Sequence, residues 1–145
     1  MDSEKIMDTI NNILEIEKAC FDNPWTFEML SFEINNPLGV LTYEVRDGRI
    51  VCYAVGHVVA GEGELTRLGT LPEYRRMGLA DKVMADFLAA MKERSAEKCF
   101  LEVRSRNTPA VSLYEKHGFE QVGLRKKYYG DDDALVMSAD FTIFH

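Results

Sequence analysis

The sequence predicts an α+β fold in which a mixed, mostly antiparallel and twisted β-sheet is flanked by helices. Three observations predict this class. Apolar residues at helical spacing open the chain, strands joined by a tight-turn signal follow, and the second half alternates between strand and helix patterns. A hairpin-rich half followed by a half with crossovers requires a sheet that contains both antiparallel and parallel pairs.

The first half opens with helical spacing over residues 4–20, where Ile6, Ile10 and Ile13 repeat on one face. A second, shorter helical pattern starts near Phe27 and is stopped by Asn35–Pro37. The pattern then changes to strands, and Asp47–Gly48 is a strong hairpin signal between the first two. The predicted strands of this half are Val40–Val45, Ile50–Val59 and Glu64–Thr70.

The second half reads as a helix, a strand, a short helix and two further strands. Thr108 and Pro109 are predicted as the cap and first position of the short helix, which ends at Gly118. The acidic run Asp131–Asp133 is predicted to be an exposed turn rather than a metal site. The remaining elements are a helix over Gly78–Arg94 and strands Lys98–Arg104, Glu120–Tyr129 and Ala134–Phe141.

Length and composition narrow the class of protein. The 145 residues suit one domain, 1–145, and the net charge of −7 argues against nucleic-acid binding, which needs phosphate neutralisation. No apolar run approaches the roughly 20 residues that span a bilayer, and the acidic start is unlike a secretory signal. Cys20, Cys52 and Cys99 lack metal-ligand spacing, which predicts reduced thiols, a cytoplasmic location and no metal. His57 and His117 are likewise predicted to be structural.

A turn between the third strand and the long helix carries the first chemical signal. Arg75-Arg76-Met77-Gly78-Leu79-Ala80 places small residues at a helix N-terminus, where unpaired N–H groups and the helix dipole attract phosphate. It lacks the Gly-Lys-Ser/Thr ending of a Walker A loop and the three glycines of a dinucleotide fingerprint. Taken alone, this turn is equally compatible with an ordinary helix entry that carries solvated arginines.

In its context the turn resembles the coenzyme A-binding motif of the GCN5-related N-acetyltransferases, Gln/Arg-x-x-Gly-x-Gly/Ala. A narrower resemblance, to the bacterial ribosomal-protein alanine N-acetyltransferases, covers nearly the whole chain. It is carried by the joint order of Asn23-Pro24-Trp25, Leu101-Glu102-Val103-Arg104, Asn107, Leu113-Tyr114-Glu115, Gly118-Phe119, Tyr128-Tyr129 and Asp133–Met137.

The resemblance implies acetyl-CoA as the co-substrate and the N-terminus of a ribosomal protein as the acceptor. The enzyme is expected to act as a monomer. The resemblance places backbone groups of the third strand along the pantetheine arm and the turn on the pyrophosphate. The implied cofactor-binding residues are Leu68, Gly69, Thr70, Arg75, Arg76, Met77, Gly78, Leu79, Ala80, Asp81, Asn107 and Tyr114. Asn before a helix is also commonly only a cap.

Two residues are candidates for proton transfer. Glu102 shares a strand face with Phe100 and Arg104, and the resemblance implies a general base that acts through water; a salt bridge to a neighbouring Arg is the structural alternative. Tyr114 matches the general acid, since a phenol with pKa near ~10 can protonate a thiolate. Its alternative role is that of a tyrosine closing the core.

The acceptor side is less defined. Tyr128 and Tyr129 match positions that shape the peptide entrance, although an aromatic pair also fits ordinary sheet packing. Trp25 fits either a place in the acceptor pocket or the packing of two helices. Asp81, Arg67, Glu64 and Leu68–Leu71 depart from the subfamily pattern. These departures keep open a relative that acetylates a small-molecule amine, and an acyl-CoA-binding module without turnover is a further alternative.

Overall fold

The computed structural model describes residues 2–130 and 132–142, except for the side chain of Tyr129. Within these ranges a six-stranded sheet has the order β1-β2-β3-β4-β6-β5, in which only β3 and β4 are parallel. The predicted fold class is therefore confirmed. The elements are α1 Ser3–Cys20, α2 Phe27–Asn35, β1 Gly39–Arg46, β2 Arg49–Val59, β3 Glu62–Thr70, a 3-10 turn Pro72–Tyr74, α3 Leu79–Glu93, β4 Lys98–Arg104, α4 Thr108–Lys116, β5 Glu120–Tyr129 and β6 Asp132–Asp140.

Helices cover the two faces of the sheet unequally. α1 packs on one face through Ile10, Ile13 and Ile16, which are buried at the spacing that the sequence predicts. α3 packs so closely on the other face that a Cβ on Gly56 would lie 2.8 Å from the Phe87 ring. Side chains of a strand alternate between faces, so β2 residues next to Gly56, such as His57, point to the α1 face.

The hairpin signal in the sequence is confirmed at the β1–β2 connection. Asp47 and Gly48 both have positive φ, 53° and 77°, as a two-residue type I′ turn requires. The turn fixes the register of β1 on β2 and thereby starts the antiparallel half of the sheet.

The parallel pair β3–β4 is short, and this feature creates the site. The two strands pair only from Glu62 to Glu64 and from Lys98 to Phe100. A bulge at Thr66, between partners Leu65 and Arg67, bends β3 at this point. Beyond the bulge β3 is no longer paired with β4.

Two local expectations were wrong. The cap of α4 is Asn107, whose side chain accepts from the Ala110 N–H at 3.3 Å, and Thr108 is already helical. In the acidic run, Asp132 is buried rather than exposed, because it accepts from the Ser105 hydroxyl at 2.5 Å; Asp131 lies outside the described residues. No helix among the described ones is both long and apolar enough to span a membrane.

The three cysteines are free thiols. Burial raises the pKa of Cys52 to about 11 and that of Cys99 to about 12, so both thiols stay protonated and unreactive, as the sequence predicts. Cys20 is only half-buried and lies at the end of α1, where its Sγ is 3.1 Å from the Thr70 carbonyl oxygen.

Candidate functional site

A cleft of about 630 Å³ lies where the end of β3 meets the start of α3 and the start of α4. We call it the α3–α4 cleft. It contains most of the residues that the resemblance assigns to the cofactor, but Met77 and Tyr114 do not line it. The predicted residues that line it are Leu68, Gly69, Thr70, Arg75, Arg76, Gly78, Leu79, Ala80, Asp81 and Asn107.

The turn at the mouth of this cleft exposes backbone N–H groups. Gly78 caps α3 with φ +76° and supplies no side-chain acceptor, and the first helical bond runs from the Lys82 N–H to the Gly78 carbonyl. The helix therefore leaves the N–H groups of Leu79, Ala80 and Asp81 unpaired. A Cβ on Gly78 would find nothing within 4 Å, so the space in front of the turn is open to a phosphate.

The two arginines of the turn have different surroundings. Arg75 donates from Nε to the Thr70 carbonyl at 3.2 Å and so ties the turn to the end of β3. Arg76 is exposed, with φ +63°, a conformation that a non-glycine residue adopts at some cost. This geometry points a fixed positive charge toward solvent at the helix N-terminus.

The carboxylate of Asp81 in the cleft wall has two close partners on the neighbouring helix α4. It lies 3.0 Å from Lys116 Nζ and 3.0 Å from His117 Nε2, both from the end of α4. Hydrogen bonds from Lys116 and then His117 hold the pKa of Asp81 below its usual value. The acidic residue at position 81, a departure from the family pattern, is therefore compensated by side chains at the end of α4. The same contacts fasten α4 to α3.

Tyr114 lies on α4 beside the cleft and is 8% exposed. Its ring packs edge-to-face on Phe119, with centroids 5.9 Å apart. Neighbouring positions on the same helix, Ala110 and Leu113, line the cleft. The packing expected of a core tyrosine is thus present, and α4 brings this tyrosine next to the cleft wall.

A second cavity, the sheet groove, occupies the α1 face of the sheet beyond the end of α1. It has a volume of about 600 Å³, and its β3 wall is the segment Glu62–Glu64 that pairs with β4. Five strands contribute to it, and its charged side chains carry both signs. The lining residues are His57, Val59, Ala60, Glu62, Gly63, Glu64, Phe100, Leu101, Glu102, Arg125 and Val136.

Two charge pairs organise this groove. Glu102 Oε1 lies 3.0 Å from Arg125 Nε, so the salt bridge that was the structural alternative for this carboxylate is present. His57 Nε2 lies 3.4 Å from Glu64 Oε2, its direct cross-strand neighbour. Glu102 nevertheless keeps 29% of its side chain exposed and faces the groove, where a solvated carboxylate can accept a proton.

The three aromatic residues expected at the acceptor entrance lie outside both cavities as far as the structure describes them. Trp25 borders a shallow apolar surface with Met29 and Phe32 on α2. Tyr128 is 55% exposed, and the Arg125 guanidinium lies 5.5 Å from its ring centroid. The backbone of Tyr129 pairs with Asp132, and its side chain lies outside the described residues. In the described part of the chain, no cluster of three or more His, Cys, Asp or Glu could hold a metal ion.

Comparison with known proteins gives the family. Residues 10–119 match the model of the acetyltransferase (GNAT) family. A Bacillus subtilis (strain 168) relative, provisionally named a [ribosomal protein bS18]-alanine N-acetyltransferase, is 34% identical over 134 residues, which are 90% of this chain and 89% of that protein. The Escherichia coli (strain K12) [ribosomal protein bS18]-alanine N-acetyltransferase is 29% identical over 85% of each chain.

The crystal structure of the ribosomal-protein-S18-alanine N-acetyltransferase from Escherichia coli has the same fold, with a TM-score of 0.86 at 22% identity over 100% of this chain and 93% of that one. The chain belongs to the acetyltransferase (GNAT) family. It is an N-acetyltransferase whose co-substrate is acetyl-CoA.

Several residues of these cavities carry no signal in the sequence. Cys20 and Phe21 line the α3–α4 cleft although they close α1, and Arg125 meets Glu102 from a strand that is distant along the chain. Tyr74, in contrast, lies within the turn segment and could have been included on position alone. Most residues of the α3–α4 cleft could thus be predicted from the sequence, whereas the partners of the charged groups in both cavities are seen only in the tertiary structure.

Proposed function

We propose that this enzyme, working as a single domain in the cytoplasm, acetylates the N-terminal α-amine of a protein, and that the acceptor is the N-terminal alanine of a ribosomal protein, as the names of its relatives state for them. One observation carries the proposal. The two cavities lie on either side of the β3 bulge: Leu68–Thr70 after the bulge line the α3–α4 cleft, Glu62–Glu64 before it line the sheet groove, and Glu102 also lines the groove.

The α3–α4 cleft fits coenzyme A. Phosphates bind the unpaired N–H groups at the start of α3 together with Arg76, and the absence of a side chain on Gly78 permits close approach. The separated half of β3, Leu68–Thr70, then offers backbone groups to the pantetheine arm. One N–H of this segment is the donor for the acetyl oxygen, which gains negative charge when the amine attacks.

Glu102 is the general base in this proposal. Its Oε1 is held by Arg125, and Oε2 is the atom that we assign to the water that deprotonates the acceptor amine. An α-amine has a pKa near ~8 and a lysine side chain one near ~10.4, so a carboxylate acting through water deprotonates the former far more readily at neutral pH.

Tyr114 is the general acid. The amine nitrogen forms a bond to the acetyl carbon, the carbon–sulfur bond breaks, and the Tyr114 hydroxyl gives its proton to the leaving thiolate. The proton lost by the amine passes through water to Glu102. Edge-to-face packing on Phe119 fixes the ring of Tyr114, which is needed for a donor that must be placed within a fraction of an ångström.

The charge of the molecule favours a basic acceptor. The chain carries a net charge of −7, and three glutamates line the sheet groove against one arginine and one histidine. Basic residues after the acetylated position would therefore strengthen binding, and added salt would weaken this contribution by screening.

The test compares three acceptors: an Ala-starting basic peptide, its N-terminally blocked twin that contains lysine, and spermidine. Thiol release should be fastest with the free N-terminus, and mass spectrometry should place the acetyl group on the α-amine. If the blocked peptide or spermidine is the better acceptor, the protein N-terminus is the wrong substrate. No thiol release with any acceptor would favour an acyl-CoA-binding module.

A further inference from the structure

A buried ion pair connects α1 to the separated half of β3. Glu17 on α1 is fully buried, and its Oε1 lies 3.4 Å from Arg67 Nη2. The buried Tyr53 hydroxyl donates to the other oxygen of Glu17. Burial and the adjacent negative charge of Glu17 both raise the pKa of Tyr53, so it remains a donor at any physiological pH. A charge in this position persists only because it is paired and hydrogen-bonded.

Arg67 also holds the loop between α1 and α2, residues 21–26. Its Nη2 donates to the Asn23 carbonyl at 2.8 Å, and its guanidinium lies 4.1 Å from the Phe21 ring centroid and 5.0 Å from that of Trp25. Glu17 adds a second tie, since its Oε1 accepts from the Trp25 N–H at 2.7 Å. The loop is thus fastened at both ends and in its middle by one ion pair.

This loop supplies part of the wall of the α3–α4 cleft. Phe21 lines the α3–α4 cleft, and Trp25 lies at the far end of the loop, where α2 begins. Arg67 precedes Leu68, the first residue of β3 that lines the cleft. A shift of the loop would therefore move a wall of the cleft and the start of α2 together.

We propose that Arg67 is a positioning residue that holds the 21–26 loop in place as a wall of the α3–α4 cleft. The claim rests on the proposed binding of coenzyme A in that cleft. Arginine suits this role because a planar guanidinium can stack on two rings while its N–H groups bind a carbonyl and a carboxylate. Lysine would keep the charge beside Glu17 but could not make these contacts together. The departure from the family pattern at this position thus has a specific structural role.

The experiment compares Arg67→Lys with Arg46→Lys, a control on edge strand β1 whose arginine contacts only Glu44 and the Val45 carbonyl in the described chain. The chain has a single tryptophan, so intrinsic fluorescence reports on Trp25 alone. For Arg67→Lys we expect acrylamide quenching of Trp25 to rise about twofold and KM for acetyl-CoA to rise roughly tenfold, with kcat lowered less than about threefold, because a stacking contact and a hydrogen bond are lost. The control should match the wild type in all three.

A merely structural Arg67 would behave differently. Partial unfolding would lower the active fraction, and thus kcat, while KM and the quenching of the folded protein stayed unchanged; that result would overturn the proposal. If Arg67→Lys does not fold, the double variant Glu17→Gln/Arg67→Met removes both buried charges together and carries the same expectations. If the wild type acetylates no peptide, the proposed function fails, and unchanged Trp25 quenching in the variant would still overturn the role of Arg67.

Discussion

The α3–α4 cleft and the sheet groove are built in opposite ways. The cleft is formed largely by one continuous strand–turn–helix segment, 68–81, and in the proposed function phosphate binds to its backbone N–H groups. The groove is assembled from side chains of five strands, and each of its charged pairs joins different strands. Under the proposed function, the co-substrate site is therefore local in sequence, whereas the part that faces the acceptor is assembled from strands that are distant along the chain.

The chemical step should be most sensitive to loss of the proposed general acid, Tyr114. Tyr114→Phe keeps the ring packed on Phe119 but removes the proton donor, so kcat should fall about 10³-fold while acetyl-CoA affinity changes little. Steady-state assays of thiol release give kcat, and calorimetry gives the affinity for acetyl-CoA. Tyr43→Phe, on edge strand β1, is the matched control. Equal loss of affinity and turnover would make the hydroxyl a cofactor contact instead.

Turnover should fall when Glu102 in the sheet groove loses its basicity. Glu102→Gln keeps the shape and a hydrogen-bond partner for Arg125, so we expect kcat to fall about 10²-fold at pH 7. The deficit should shrink above pH ~8, where the acceptor α-amine is already deprotonated. Glu120→Gln, an exposed change on β5, should leave the rate unaltered. A wild-type rate for Glu102→Gln across the pH range would leave the salt bridge as the whole role of Glu102.

Coenzyme A should instead bind more weakly when a side chain blocks the backbone N–H groups of the turn at Gly78. Gly78→Val puts a branched side chain at φ +76° in front of the turn, and we expect coenzyme A to bind roughly 30-fold more weakly in calorimetry. Gly48→Val is the control, because Gly48 has φ +77° and equally open surroundings but lies in the β1–β2 turn. Equal affinity in the two variants would remove the turn from the binding site.

The smallest effect concerns Asp81, the acidic residue of the cleft. Its pKa is lowered in the folded state, so the group adds stability above the ordinary aspartate value and loses it as pH falls through the folded pKa. Because the contact is largely exposed, Asp81→Asn should lower the melting temperature by only about 1–2 °C at pH 7.

The difference between Asp81→Asn and the wild type should shrink as pH falls below the ordinary aspartate pKa and disappear once pH is below the lowered pKa of the folded state. Coenzyme A affinity should change less than about threefold, because Lys116 and His117 already balance the carboxylate. Thermal scans from pH 7 to 3 and calorimetry at pH 7 measure both. A much tighter complex would mean that the charge of Asp81 does oppose phosphate binding.

The sequence by itself determined the elements and the local chemistry of this protein. Period-3.6 and period-2 spacing set α3 and β4, Asp47–Gly48 set the first hairpin, and Gly78 set the turn, because each depends on hydrogen bonds and dihedral angles within a few residues. The resemblance carried by short motifs was sufficient for the family.

Only the tertiary structure decided which charges meet. Arg125 on β5 reaches Glu102 on β4 across the intervening strand β6, Arg67 on β3 reaches Glu17 on α1 and Asn23 in the following loop, and Ser105 donates to the buried Asp132. These partners are far apart along the chain, and their meeting depends on strand order, on the bulge at Thr66 and on the short β3–β4 pairing. A one-residue change in register would send each side chain to the opposite face of the sheet, which is why no local pattern specifies these contacts.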